Sequence, residues 1–93
     1  MKITKLPNGG ELQEDSDGNK EWYLNGNLHR EDGPAVENDD GSKWWYLNGK
    51  LHREDGPASE GVNGDKYWYI NDKHVPCKTQ EEFERLMKLK AFW

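Results

Sequence analysis

Two stretches of this chain are nearly the same text. Lys20–Glu37 reads KEWYLNGNLHREDGPAVE and Lys43–Glu60 reads KWWYLNGKLHREDGPASE, so fifteen of the 18 positions are identical at an offset of 23 residues. The pattern begins a third time in Lys66–Ile70, KYWYI, which makes Trp22, Trp45 and Trp68 equivalent, and likewise Asn25, Asn48 and Asn71. In the other direction Leu12 aligns with Ala35 and Ala58, and Gly18 with Gly41 and Gly64. A short, strict period means one small unit built several times, each copy burying its apolar side against the next.

The unit reads as β-hairpins. A strand such as Pro34–Asn38 leads to a turn at Asp39-Asp40-Gly41 and returns as Lys43–Leu47. Asn25-Gly26 and Asn48-Gly49 follow the aromatic strands, and Asn-Gly between such flanks is a strong hairpin signal because both residues tolerate positive φ. A further break, Glu31-Asp32-Gly33-Pro34, recurs at Glu54-Asp55-Gly56-Pro57. Gly33 and Gly56 are expected to take positive φ there. Side chains alternate along a strand. Trp22 with Leu24, Trp45 with Leu47 and Trp68 with Ile70 therefore define one face, expected to be a buried tryptophan ladder. The opposite face carries Glu21 and Tyr23, Trp44 and Tyr46, Tyr67 and Tyr69. The repeat fades after Asp72. Thr79-Gln80-Glu81-Glu82 fits a capping box, and Phe83, Leu86, Met87 and Ala91 follow at helical spacing. The expected fold is mainly β: an antiparallel meander of tandem 23-residue hairpins over residues 11–73. A C-terminal helix spans about Gln80 to Lys90 within a 79–91 segment, docks on the tryptophans and leads to Phe92 and Trp93. All 93 residues form a single domain.

Composition narrows the function classes. One third of the residues are charged and only 32% are hydrophobic, which on its own favours disorder. Five Trp, four Tyr and two Phe reverse that expectation, since a few aromatics bury enough area to hold a thin core. The net charge of −5 is unfavourable for nucleic acid or an anionic membrane and suits a basic protein surface. A lone cysteine, Cys77, forms no internal disulfide, which points to a reducing compartment, here the cytoplasm. MKITKLPNGG lacks the apolar run of a signal peptide, and no stretch is long and apolar enough to span a bilayer.

The motif W-Y-L-N-G-K-L-H-R-E-D-G-P-A resembles a repeat of small tailed-bacteriophage and giant-virus proteins, over roughly Leu12 to Lys73. More distantly it is similar to the MORN repeat, with Trp45, Asn48, Gly49, Lys50 and His52 in the matching order. Arg53-Glu54-Asp55-Gly56-Pro57 then departs from the MORN Gly-x-Gly step. The resemblance implies a hairpin-repeat sheet and a virus-borne interaction role in the host cytoplasm, and no enzymatic activity.

The chemistry-bearing residues fit that picture. His29 and His52, each followed by Arg-Glu-Asp, occur once per copy and lack the compact spacing of metal ligands. A duplicated constellation without a nucleophile or phosphate loop is unlike an active site. His29, His52, Arg30 and Arg53 are therefore expected to make structural hydrogen bonds and ion pairs between copies, and rank as secondary site candidates. Clustered Glu11, Glu14, Asp15 and Asp17 invite comparison with a DNA mimic, but the later acidic pairs alternate with Arg and Lys. Trp44, Tyr46, Tyr23, Tyr67 and Tyr69 are the primary candidates, because Tyr and Trp anchor protein interfaces. The expected function is binding and occluding a host protein, such as a bacterial defence component, through a basic or aromatic-accepting surface. The alternative is sequestration of a nucleotide-like ligand on aromatic and Arg side chains. No cofactor or metal is expected.

Overall fold

The computed structural model describes residues 1–89; Lys90, Ala91, Phe92 and Trp93, assigned above to the end of the helix and beyond, lie outside the described residues. Eleven short strands precede one helix: β1 (Lys2–Lys5), β2 (Glu11–Glu14), β3 (Lys20–Leu24), β4 (Asn27–Leu28), β5 (Val36–Glu37), β6 (Lys43–Trp44), β7 (Tyr46–Leu47), β8 (Lys50–Leu51), β9 (Ser59–Glu60), β10 (Lys66–Ile70), β11 (Lys73–Val75) and α1 (Gln80–Lys88). The main sheet runs β1-β2-β3-β5-β6-β9-β10-β11, with β4 paired to β3, while β7 and β8 form a small hairpin. All pairings are antiparallel.

Backbone bonds recur at the 23-residue offset, some within a copy and some from one copy to the next. The Trp22 N–H donates to Ala35 O and the Trp45 N–H to Ala58 O, both at 2.8 Å. The Arg30 N–H reaches Tyr46 O at 3.1 Å, and the Arg53 N–H reaches Tyr69 O at 3.2 Å. Ala35 and Ala58 are fully buried at these junctions. A larger side chain would hold the strands' neighbours apart. The aromatic strands end in the expected turns. Asn25-Gly26 has φ of 53° and 81°, and Asn48-Gly49 has 52° and 81°. The third copy makes the same reversal with Asn71-Asp72, at 49° and 69°.

The Glu-Asp-Gly-Pro breaks differ from expectation. Gly33 and Gly56 do not adopt positive φ. A residue before proline is pushed toward extended backbone, and here an arginine side chain, rather than a left-handed glycine, organises the loop. Glycine is needed for space. A Cβ on Gly33 would lie 2.9 Å from Arg30 Cζ, and one on Gly56 only 2.6 Å from Arg53 Cζ.

The helix begins as its sequence predicts. Thr79 is the N-cap, its hydroxyl accepting the Glu82 N–H at 3.2 Å, while the Glu82 carboxylate accepts the Lys78 N–H at 3.1 Å. Phe83 is fully buried against Trp68, ring centroids 6.3 Å apart, and the Trp68 indole N–H donates to Gln80 Oε1 at 2.8 Å. Trp68, Ile70, Val75 and Phe83 form the core cluster, with Cys77, Leu86 and Met87 packed against it. The tryptophans are not one buried ladder. Trp68 is 2% exposed, but Trp22 and Trp45 are only partly buried. The reason is length. Nine helical residues at about 1.5 Å each span about 14 Å, against a longest molecular extent of 42 Å, so the helix covers the last hairpin alone.

Candidate functional site

Residues that pair directly across strands lie on the same face of a sheet, so the register assigns every side chain to one of two faces. The face containing the tryptophans also carries a row of charges of alternating sign: Lys2, Glu14, Lys20, Glu37, Lys43, Glu60 and Lys66, each opposite the next. Within the row, Glu37 and Glu60 make their ion pairs with Arg30 and Arg53. The recurrence of Glu14, Glu37 and Glu60 at the repeat offset was the signal for this row.

Above that row each of the first two copies builds a closed clip. The Arg30 guanidinium lies 3.9 Å from the Trp22 ring centroid; its Nε donates to Asp32 at 3.0 Å, and its Nη1 donates to Pro34 O at 3.1 Å and Glu37 at 2.9 Å. Arg53 repeats the arrangement over Trp45 at 3.9 Å, with Asp55 at 2.9 Å and Pro57 O and Glu60 at 3.0 Å. The guanidinium thus lids a tryptophan that the helix does not reach. A cleft between the two copies, about 560 Å³, is lined by Arg30, Asp32, Trp45, Leu47, His52 and Arg53, among others.

His29 and His52 are buried and link adjacent copies. His29 Nδ1 accepts the Asn48 N–H at 2.9 Å, and His52 Nδ1 accepts the Asn71 N–H at 3.2 Å. Both rings therefore carry their proton on Nε2, which in His52 faces Glu54 at 3.3 Å. Gly49 and Asp72 add a second link to the same places, their N–H groups donating to Leu28 O and Leu51 O at 2.9 and 2.8 Å. No group of three or more His, Cys, Asp or Glu among the described residues is arranged to hold a metal.

The five primary candidates share the other face. Trp44 and Tyr67 both pair with Ser59, Val36 pairs with both Trp44 and Glu21, Tyr23 and Tyr69 stand two residues farther along β3 and β10, and Tyr46 opens β7 two residues after Trp44. Tyr67 is 48% exposed; Tyr23, Trp44, Tyr46 and Tyr69 are half-buried. The helix lies on the opposite face with Trp68, and no described element covers this one. His74 packs between the last two tyrosines, 6.1 Å from Tyr67 and 5.3 Å edge-on to Tyr69. Burial raises the Tyr46 hydroxyl pKa, and the charge of Asp72 and the neighbouring Tyr69 raise it further. Burial also raises Tyr23, helped by Glu21, which faces it on the same strand. Asp72 escaped the sequence reading. Its signal was a substitution, Asp where the first two copies have Gly26 and Gly49.

No helix among the described residues is long and apolar enough to cross a membrane. No family model, no curated protein and no solved structure matches this chain.

Proposed function

We propose that this chain is a virus-borne protein-interaction module that binds a host protein through the face bearing Trp44, Tyr46, Tyr67 and Tyr69, and that it inhibits that protein by occlusion. The observation that supports this reading is an aromatic sheet face left without a covering element, in a chain short of apolar residues. Large contiguous apolar patches are rare on monomers and mark interaction sites. Tyr and Trp are the side chains that most often supply the binding energy. The bacteriophage or giant-virus setting, and a defence component as the host target, rest on the repeat's resemblance to viral proteins.

The nucleotide-like alternative needs a guanidinium able to meet a phosphate. Arg30 and Arg53 are instead each held by an aspartate, a glutamate, a carbonyl and a tryptophan face. A phosphate would also have to approach past the carboxylates of Glu31, Asp32, Glu54 and Asp55 that line the same cleft.

Trp44→Glu tests the interface. The first copy already carries Glu21 at this position, so the fold tolerates the residue. With a partner captured from an expressing bacterium, calorimetric titration is expected to show binding weakened by about 2 kcal/mol or more. Wild-type affinity in a folded Trp44→Glu protein moves the site to another face.

A further inference from the structure

In a chain that otherwise repeats itself closely, two of the few departures fall close together. Trp44 stands where the first copy has Glu21, and Asp72 stands where the first two copies have Gly26 and Gly49. They are 28 residues apart in sequence, yet the pairing brings both beside Tyr46. Trp44 is two residues before Tyr46 on the same face. Tyr46 pairs with Leu51, and the Leu51 N–H donates to the Asp72 carboxylate at 2.7 Å. Tyr69, three residues before Asp72, accepts the Arg53 N–H two residues beyond Leu51, and, after burial, Asp72 and Tyr69 both raise the Tyr46 hydroxyl pKa.

The Asp72 substitution works against backbone preference. Its φ of 69° lies in the region that favours glycine, and the preceding copies use glycine at this position with φ of 81°. The hydrogen bond to Leu51 offsets some of that cost, but Leu28 in the preceding junction manages without it, because Gly49 offers only its N–H there. The turn therefore carries an exposed carboxylate that the junction itself does not require. Strained residues of this kind concentrate at functional sites.

The chemistry brought together is specific: Trp44, Tyr46 and Tyr69 are half-buried aromatic residues, and Asp72 beside them is an exposed carboxylate. Aromatic faces attract cations, and a guanidinium both stacks on rings and bonds a carboxylate with its planar fork. The first copy cannot make this arrangement: Tyr23 is accompanied by Glu21 in place of a tryptophan, and the turn that meets its Leu28 ends in Gly49.

We propose that Tyr46, Tyr69 and Asp72, flanked by Trp44, form a notch that takes an arginine side chain from the protein partner. The proposal deepens the interface reading above and rests on it. It defines the partner by chemistry: a protein surface with an arginine projecting from apolar surroundings, in keeping with the net charge of −5 on this chain.

The test is an NMR titration of the full chain with N-acetyl-arginine amide, following the Tyr46 and Tyr69 ring signals. N-acetyl-citrulline amide, of the same shape without the charge, is the control. Saturable shifts are expected with arginine, and at least tenfold weaker binding with citrulline. Asp72→Asn removes the charge while keeping the oxygen that accepts the Leu51 N–H, and asparagine suits this φ, as Asn71 beside it illustrates. Unchanged Leu51 and Asn71 amide shifts will certify its fold. Arginine affinity in Asp72→Asn is expected to fall at least fivefold. Equal binding of arginine and citrulline, no arginine binding at all, or full affinity in folded Asp72→Asn overturns the notch. Those results leave the interface standing if Trp44→Glu still abolishes capture of a protein partner. Arginine binding with partner capture indifferent to Trp44→Glu sinks the interface reading instead.

Discussion

Trp45 and Trp68 hold the same place in the repeat, and the chain covers them by different means. Trp68 lies under a helix, against Phe83, with its indole N–H satisfied by Gln80. Trp45 lies under the guanidinium of Arg53, itself fastened by Asp55 and Glu60. The third copy has Val75 and Pro76 where the second has His52 and Arg53. Val75 is fully buried. The two solutions are mutually exclusive at one site: an arginine lid leaves no room for Phe83, and a helix needs no lid. A chain with little apolar sequence can thus finish one end with hydrophobic burial and cover the remainder with polar clips.

The largest expected effect separates the two coverings. Among the described residues Trp68 is the one fully buried tryptophan, and Trp68→Ala is expected to cost about 3–5 kcal/mol. Trp45→Ala removes a partly exposed ring whose lid can relax into solvent, and is expected to cost less, about 1–3 kcal/mol. Urea denaturation of both variants measures the gap. Equal losses would mean that the arginine lids bury tryptophan as effectively as the helix does. Removing everything from Thr79 onward bares Trp68 and Ile70 and is expected to cause aggregation, visible by light scattering; a soluble, cooperatively folding truncated chain would make the helix an appendage.

The clip itself is tested through its glycine. Gly56→Ala places a Cβ 2.6 Å from Arg53 Cζ, so the guanidinium must shift from its present place over Trp45. The expected cost is about 1–3 kcal/mol. In an Arg53→Ala background the obstacle is gone, and the same substitution is expected to cost much less, a coupling that a double-mutant cycle reads directly. Additive losses would mean that Gly56 is required for its backbone rather than for the space above it.

Much of this fold was legible from the period. The Asn-Gly and Asp-Gly turns, the alternation of faces and the Thr79 cap each depend on residues a few positions apart, where local geometry decides. The grouping of Tyr23, Trp44, Tyr46, Tyr67 and Tyr69 on one face followed from alternation plus the offset. What stayed hidden depended on choices between partners. An arginine next to a histidine, a glutamate and an aspartate has several possible partners, and only the folded loop selects the tryptophan eight residues earlier. The conformation of Gly33 and Gly56 went the same way, since lack of space and positive φ both demand glycine and sequence does not distinguish them. Asp72 was visible as a break in the pattern, but its approach to Tyr46 comes from a junction between copies.

A smaller effect belongs to the histidine links. His52→Phe keeps the ring's bulk and removes the acceptor for the Asn71 N–H, with an expected cost of about 1–2 kcal/mol. His29→Phe does the same at Asn48. Amide exchange localises the loss: Asn48 should lose protection in one variant and Asn71 in the other. The His29 junction joins two clipped copies, whereas the His52 junction joins a clipped copy to the helix-covered hairpin. If both amides lose protection in either variant, the junctions open together and the molecule does not divide into two differently built regions.

The smallest expected effect is a pH dependence confined to the clipped region. Asp15 and Asp40 sit in the turns of the first hairpins, and both carboxyls are held below the usual aspartate range. For Asp15 the main cause is the Asn19 N–H, joined by the Asn19 side-chain amide; for Asp40 it is the Ser42 hydroxyl, followed by the Ser42 N–H. A carboxyl whose folded pKa is depressed contributes stability that is present above its unfolded value, near pH 4, and is lost as pH falls through the lower folded value. Both groups are exposed, so the contribution is small, and its place matters more than its size. On acidification below about pH 4, the Asn19 and Ser42 amides are expected to lose exchange protection, as protonation weakens the acceptors they use. Asp40→Asn, which keeps an oxygen acceptor without the titration, should flatten the change at Ser42 and leave Asn19 as before. A response at Ser42 that survives in Asp40→Asn would assign the acid sensitivity to the sheet as a whole rather than to the turns of its polar end.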